Sequence, residues 1–142
     1  MPRRPRRKLS TSEIKGIKQK IFDDVAIGLL KQMKRSFIRA GGVREEPICR
    51  YRYGELKCAV GHLIPDDKYS PTMEGHAVWF PEVRERLPDR IQAAISLDRD
   101  VLSLLTDLQG LHDNKSPTVW EDGFETIATK FHLSPNVLSD KG

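Results

Sequence analysis

Four side chains in this 142-residue chain are of types that could carry a reaction: Cys58, His112, Asp66 and Glu74. If Cys58 opens a short helical turn over 58–63, its sulfur sits where the partial positive charge of a helix N-terminus favours thiolate. His112 could take the thiol proton while a carboxylate orients the imidazole. Neighbours on a helix point about 100° apart, so Asp113 is not expected to pair with His112. Asp66 or Glu74 would have to orient the ring. The same residues have a plainer reading, because His112-Asp113-Asn114 also suits a helix C-terminus, where His complements the dipole.

A metal is the second chemistry to weigh. Cys49, Cys58 and His62 are spaced C-x8-C-x3-H, and His76 or His112 could add a fourth ligand. Tetrahedral zinc uses such ligands, but usually through close local pairs such as C-x2-C or H-x3-H. Those pairs are absent, so two cysteines in a small core is the preferred reading and no metal is expected. Asp66, Asp67 and Glu74 share a loop with Tyr69. They could hold a cation or act as acid and base, although aspartates after proline in a turn more often cap backbone N–H groups. Gly54, Gly61 and Gly75 are too scattered for a phosphate loop, and no cofactor is expected.

Charge offers a third chemistry. Residues 1–42 hold twelve Lys/Arg and three Asp/Glu, a net +9, while residues 43–142 hold twelve and seventeen, a net −5. The excess begins in Arg3, Arg4, Arg6, Arg7 and Lys8, a segment too poor in apolar residues to repay its own ordering. Such an arm could meet phosphates, or it could solubilise the chain or contact the acidic body of another copy. In Arg50-Tyr51-Arg52-Tyr53, aromatic and basic residues interleave, as single-stranded nucleic acid binding requires. The alternation equally fits a strand with Tyr51 and Tyr53 on the core and Arg50 and Arg52 in water. Tyr69 is a further candidate contact.

The elements that position these residues follow from periodicity. Ser10 and Glu13 have capping-box spacing. Apolar residues then recur at Ile14, Ile17, Ile21, Val25, Leu29, Met33 and Phe37, which predicts a helix ended by Gly41-Gly42. That is about 28 residues and about 42 Å, long enough for a kink near Ile27-Gly28. Ile48–Tyr53 and Leu56–Ala59 flank Gly54-Glu55 and predict a type II′ hairpin. His76–Phe80 predicts a third strand. Two short helices broken at Pro88 follow. Asp98 caps a clearer helix with Val101, Leu102, Leu104, Leu105, Leu108 and Leu111 on one face. Ser116-Pro117 starts the last helix, with Trp120, Phe124, Ile127, Ala128 and Phe131 inward. The fold class is mainly helical α+β: a basic arm (1–9), one globular domain (10–133) and a tail (134–142).

IFDDVAIGLLKQ, CRYR, KCAVGHLIPDDKYSPTMEG and LLTDLQGLHDN resemble a group of small uncharacterised proteins found in bacteria and their phages. The likeness spans most of Ile21–Trp120. The pattern of that group includes Cys49, Arg52, Cys58, Gly61, Asp66, Tyr69, Glu74, Gln109, His112 and Asp113, while His62 stands where members vary. The resemblance implies a fold and a focus on the central unit, and no reaction. No apolar run approaches the roughly 18–20 residues that span a bilayer, and the expected location is the cytoplasm. The first reading is a non-enzymatic phage- or prophage-type accessory protein that binds nucleic acid or a host protein through the arm and first helix. A homodimer is admitted. The alternatives are a small Cys/His-site enzyme or ligand-binding domain, and a protein–protein inhibitor.

Overall fold

The computed structural model describes residues 9–39 and 47–139. It is a mainly helical α+β fold: a long first helix, two small antiparallel strand pairs, then a succession of helices.

The first helix, α1 (Thr11–Gln32), starts in the expected capping box. The Ser10 hydroxyl accepts the Glu13 N–H at 3.1 Å, and the Ser10 N–H donates to Glu13 Oε1 at 3.2 Å. Ile17, Ile21, Phe22, Val25, Ala26 and Leu29 form its buried stripe. The helix is shorter than its periodicity predicts. Met33 adopts the left-handed conformation at φ 51° and donates its N–H to Leu29 O. Met33 and Phe37 therefore do not continue the stripe, and Met33 is exposed. The cause is tertiary. Gln32 accepts the Lys57 N–H at 3.0 Å and donates to Lys57 O at 2.8 Å. Beyond it, Ser36 binds His112, and β1 (Phe37–Arg39) pairs antiparallel with β2 (Pro47–Cys49), Phe37 facing Cys49. Gly41 and Gly42, expected to end the helix, lie outside the described residues, as do the arm residues Arg3, Arg4, Arg6, Arg7 and Lys8.

The predicted hairpin is present as β3 (Arg52–Tyr53) and β4 (Leu56–Lys57), with Tyr53 facing Leu56. Gly54 has φ 61° and Glu55 no positive φ, the pattern of a type II′ turn. The expected faces are not kept. Tyr51 is buried, but Tyr53 is 51 % exposed at the tip, and Arg52 is drawn inward by Ile64 and Asp66. Cys58 precedes a 3-10 turn over Val60–Leu63, as its alternative reading held.

His76–Phe80 is a run of turns and not a strand. Val78 is buried while the adjacent Trp79 and Phe80 are both exposed, so the alternation a half-buried strand needs is missing. The edge it would join is also taken, because Glu74 accepts the N–H groups of Tyr51 and Arg52.

The remaining helices follow the expected breaks: α2 (Pro81–Arg84), α3 (Asp89–Leu97) after Pro88, α4 (Arg99–Asn114) capped by Asp98, and α5 (Trp120–Phe131). The core lies where α4 packs on α1, α3 and α5. Phe22 meets Phe124 edge to face at 5.9 Å, and Trp120 is fully buried. The segment after α5 turns back through α6 (Asn136–Ser139), placing Leu133 and Leu138 in the core. Gln19 holds it by accepting the Ser134 N–H at 2.8 Å and donating to Ser134 O at 3.0 Å. Among the described residues no helix is long and apolar enough to cross a membrane.

Candidate functional site

The polar residues of the central unit form two hydrogen-bonded sets. The first centres on Glu74. Its carboxylate accepts the Tyr51 N–H at 2.8 Å, the Arg52 N–H at 3.2 Å and the Tyr69 hydroxyl at 2.7 Å, and Arg50 Nε lies 3.5 Å away. Arg52 sits over the Tyr69 ring at 5.0 Å, donates to Ile64 O and pairs with Asp66 at 2.8 Å. Burial, then the bond to Glu74, pushes the Tyr69 phenol up. Both carboxylate oxygens of Glu74 are hydrogen-bonded, as a largely buried carboxylate requires, whereas the buried Nε of Arg50 and that of Arg52 make no hydrogen bond among the described residues. The set staples the hairpin to the 69–74 loop.

The second set lies at the end of α4. Gln109 accepts the Val60 N–H at 3.0 Å and donates to Asp113 at 2.9 Å. His112 is fully buried and stacked on Trp120 at 5.8 Å. Its Nε2 accepts the Ser36 N–H at 2.9 Å, so the ring proton belongs on Nδ1, which faces Asp113 Oδ1 at 2.7 Å. The expectation that Asp113 would not pair with His112 is overturned, and Asp66 and Glu74 orient other groups. Both residues lie in the last turn of α4, and Nδ1 is the ring nitrogen nearer the backbone, within reach of the next residue's carboxylate. Gln109, one turn earlier, holds that carboxylate in place.

Cys58 is fully buried and accepts the Gly61 N–H at 3.3 Å. Burial pushes its thiol well above the ordinary range, and the Gly61 bond only partly offsets this. A thiol so placed is not an activated nucleophile. Gly61 is needed here, because a Cβ would lie 2.2 Å from Tyr51 O.

A cleft of about 380 Å³ opens beside these sets. Its surface is mostly apolar, with Cys49, Arg50, Gln109 and Asp113 adding polar groups and His76 and Trp79 aromatic rings. None of Cys58, His112, Asp66, Glu74 or Tyr69 lines it. Cys49 is half-buried, and burial followed by the nearby Asp113 carboxylate raises its thiol, with Arg35 opposing. Trp79 and Phe80 stack at 6.2 Å, 50 % and 44 % exposed, and His76 lies 5.5 Å from Phe80. Sequence reading passed over this pair. The signal was two adjacent large aromatics just before a proline, which no alternating strand could bury together.

The spacing Cys49, Cys58, His62 does not become a metal centre. Among the described residues the ligand atoms that gather within 4.8 Å are those of Cys49, His112 and Asp113. This set fits zinc poorly. Nδ1 could bind a metal only by losing its proton, while Nε2 already accepts from Ser36, and a neutral imidazole has one lone pair to give.

Several of the basic residues are occupied, while Lys15, Lys31 and Lys34 are exposed. Lys18 pairs with Asp98 at 2.9 Å and Lys20 with Asp24 at 3.0 Å. Arg35 donates to Asp113 O, and Tyr51, the central ring of the interleaved stretch, is buried. No protein-family model, curated protein or solved structure matches the chain.

Proposed function

We propose that the protein is a non-catalytic accessory protein of the phage or prophage type, and that it binds a partner protein at the Trp79 cleft. The carrying observation is the stacked, half-exposed Trp79–Phe80 pair, of which Trp79 lines a mostly apolar cleft that also holds Arg50, Gln109 and Asp113. Exposed tryptophan beside a largely apolar concave surface with a few polar groups is the usual chemistry of a binding hot spot. Two facts add support. The groups that could do acid–base or nucleophilic work are committed to backbone and side-chain bonds. Of the lysines and arginines that would meet phosphates, Lys18, Lys20 and Arg52 face carboxylates and Arg35 a carbonyl, while Lys15, Lys31 and Lys34 stay exposed. The basic arm then supplies long-range attraction to a partner and not the specific contact.

The test is capture from bacterial lysate by wild-type protein, Trp79→Ala and a variant lacking residues 1–8, each with and without nuclease. The reading expects a captured protein that survives nuclease and depends on Trp79. Capture that vanishes with nuclease and ignores Trp79 would return the arm and nucleic acid to first place.

A further inference from the structure

A second cavity, of about 430 Å³, lies between α1 and the start of α3, within the size range of small-molecule sites. Its floor is apolar: Ile17, Ile21, Leu63, Pro88 and Ile91. His62 forms part of the wall with its Nδ1 edge against Gly28. Burial, then the charges of Lys57, His112 and Arg52, lower its pKa to about 4, so the ring is uncharged at neutral pH.

The charges at the rim can be accounted for one by one. Glu13 is turned to the capping box, and Lys20 and Asp24 neutralise each other at 3.0 Å. Arg90 lines the rim, is exposed, and makes no ion pair among the described residues. Gly16 adds an independent observation. It lies inside α1, where glycine costs about 1 kcal/mol against alanine. A Cβ there would meet nothing within 4 Å, whereas at Gly28 it would lie 2.5 Å from the His62 ring. Packing explains Gly28 and does not explain Gly16. Gly16 lines the cavity, and the lack of a side chain there leaves its wall open.

We propose that this cavity binds a small amphiphile, an apolar body seated on Ile17, Ile21 and Ile91 beside Gly16, with a carboxylate head held at the rim by Arg90. The apolar floor supplies affinity in proportion to the area covered. The guanidinium supplies the choice of head group, since it matches a carboxylate with two parallel donors.

The experiment titrates the full chain with sodium decanoate and with decylamine, both well below their micellar concentrations. Calorimetry gives affinity, and amide NMR shifts at Gly16, Ile17 and Ile91 give the place. The inference expects saturable decanoate binding with shifts at those residues, and decylamine weaker by about tenfold. Arg90→Gln should lose about tenfold for decanoate with unchanged melting. Gly16→Leu, which fills the space and favours helix, should fold and abolish binding. Absence of saturable decanoate binding, shifts elsewhere, or equal affinity for the amine overturns the inference. Should Gly16→Leu fail to fold, the Arg90→Gln result decides alone, and unchanged affinity in that variant also overturns it.

Discussion

The backbone N–H of Ser36 donates to Nε2 of His112 at 2.9 Å. This one bond decides how the end of α4 is read. The nitrogen a general base would use is already filled, and the segment leaving α1 is fixed to the far end of the core. Asp113 and Trp120 complete the enclosure of the ring. His112→Ala should therefore act as a core deletion. It opens a cavity beside Trp120 and strands a buried N–H, together about 3 kcal/mol or more. His112→Phe keeps most of the packing and should cost less. Urea unfolding of the three proteins checks the order, and a proton on Nδ1 should be visible in long-range nitrogen–proton NMR correlations.

The glycines should split by sign. Gly16→Ala places a methyl in open space within a helix and should stabilise by roughly 0.5–1 kcal/mol. Gly28→Ala drives the same methyl into the His62 ring, and Gly61→Ala drives it into Tyr51 O. Gly61→Ala is the most damaging, on the order of 3 kcal/mol, because a backbone carbonyl cannot turn aside as a side chain can. Thermal melts of the three single variants test the ranking.

The two thiols should behave differently toward a thiol reagent. Cys49 is half-buried beside a cleft, and its raised pKa makes it slow but reachable. Cys58 is wholly enclosed, so it should react only at the rate of global unfolding. One slow equivalent in the native state and a second released by denaturant is the expected titration. Fast labelling of Cys58 would contradict the burial on which its structural role rests.

Acid should weaken the fold through His62. Its folded pKa, about 4, lies below the ordinary 6.5, so between these values the unfolded chain binds the extra proton. This contribution is intact above pH 6.5 and is lost as pH falls toward 4. His62→Phe removes the titrating group while keeping a ring over Gly28. The slope of stability against pH across that window should flatten in the variant, as measured by denaturant melts at several pH values.

Much of the fold was legible because it is written in local signals. The Ser10 box, the Gly54 turn, the break at Pro88 and the Asp98 cap each satisfy backbone groups within a few residues. The end of α1 was not legible. The apolar spacing runs on through Met33 and Phe37, and the helix stops because the Gln32 amide finds Lys57 and Ser36 finds His112. Both partners are distant in sequence. The same limit governs the polar residues. Gln19, Gln32 and Gln109 look like surface residues in the sequence, yet each grips backbone of another segment. Glu74, expected as an acid or a cap, closes three bonds that no spacing announces. The pairing of His112 with Asp113, both within the last turn of α4, escaped an argument from helix angles because side-chain rotation lets Nδ1 and the adjacent carboxylate meet.

The most direct measurement titrates the captured partner protein, by calorimetry at fixed salt, against wild-type chain and Trp79→Ala, with melting temperatures recorded alongside. The proposed binding role predicts a loss of at least about 2 kcal/mol, roughly thirtyfold in affinity, with unchanged melting. Equal affinity for the two proteins would contradict it.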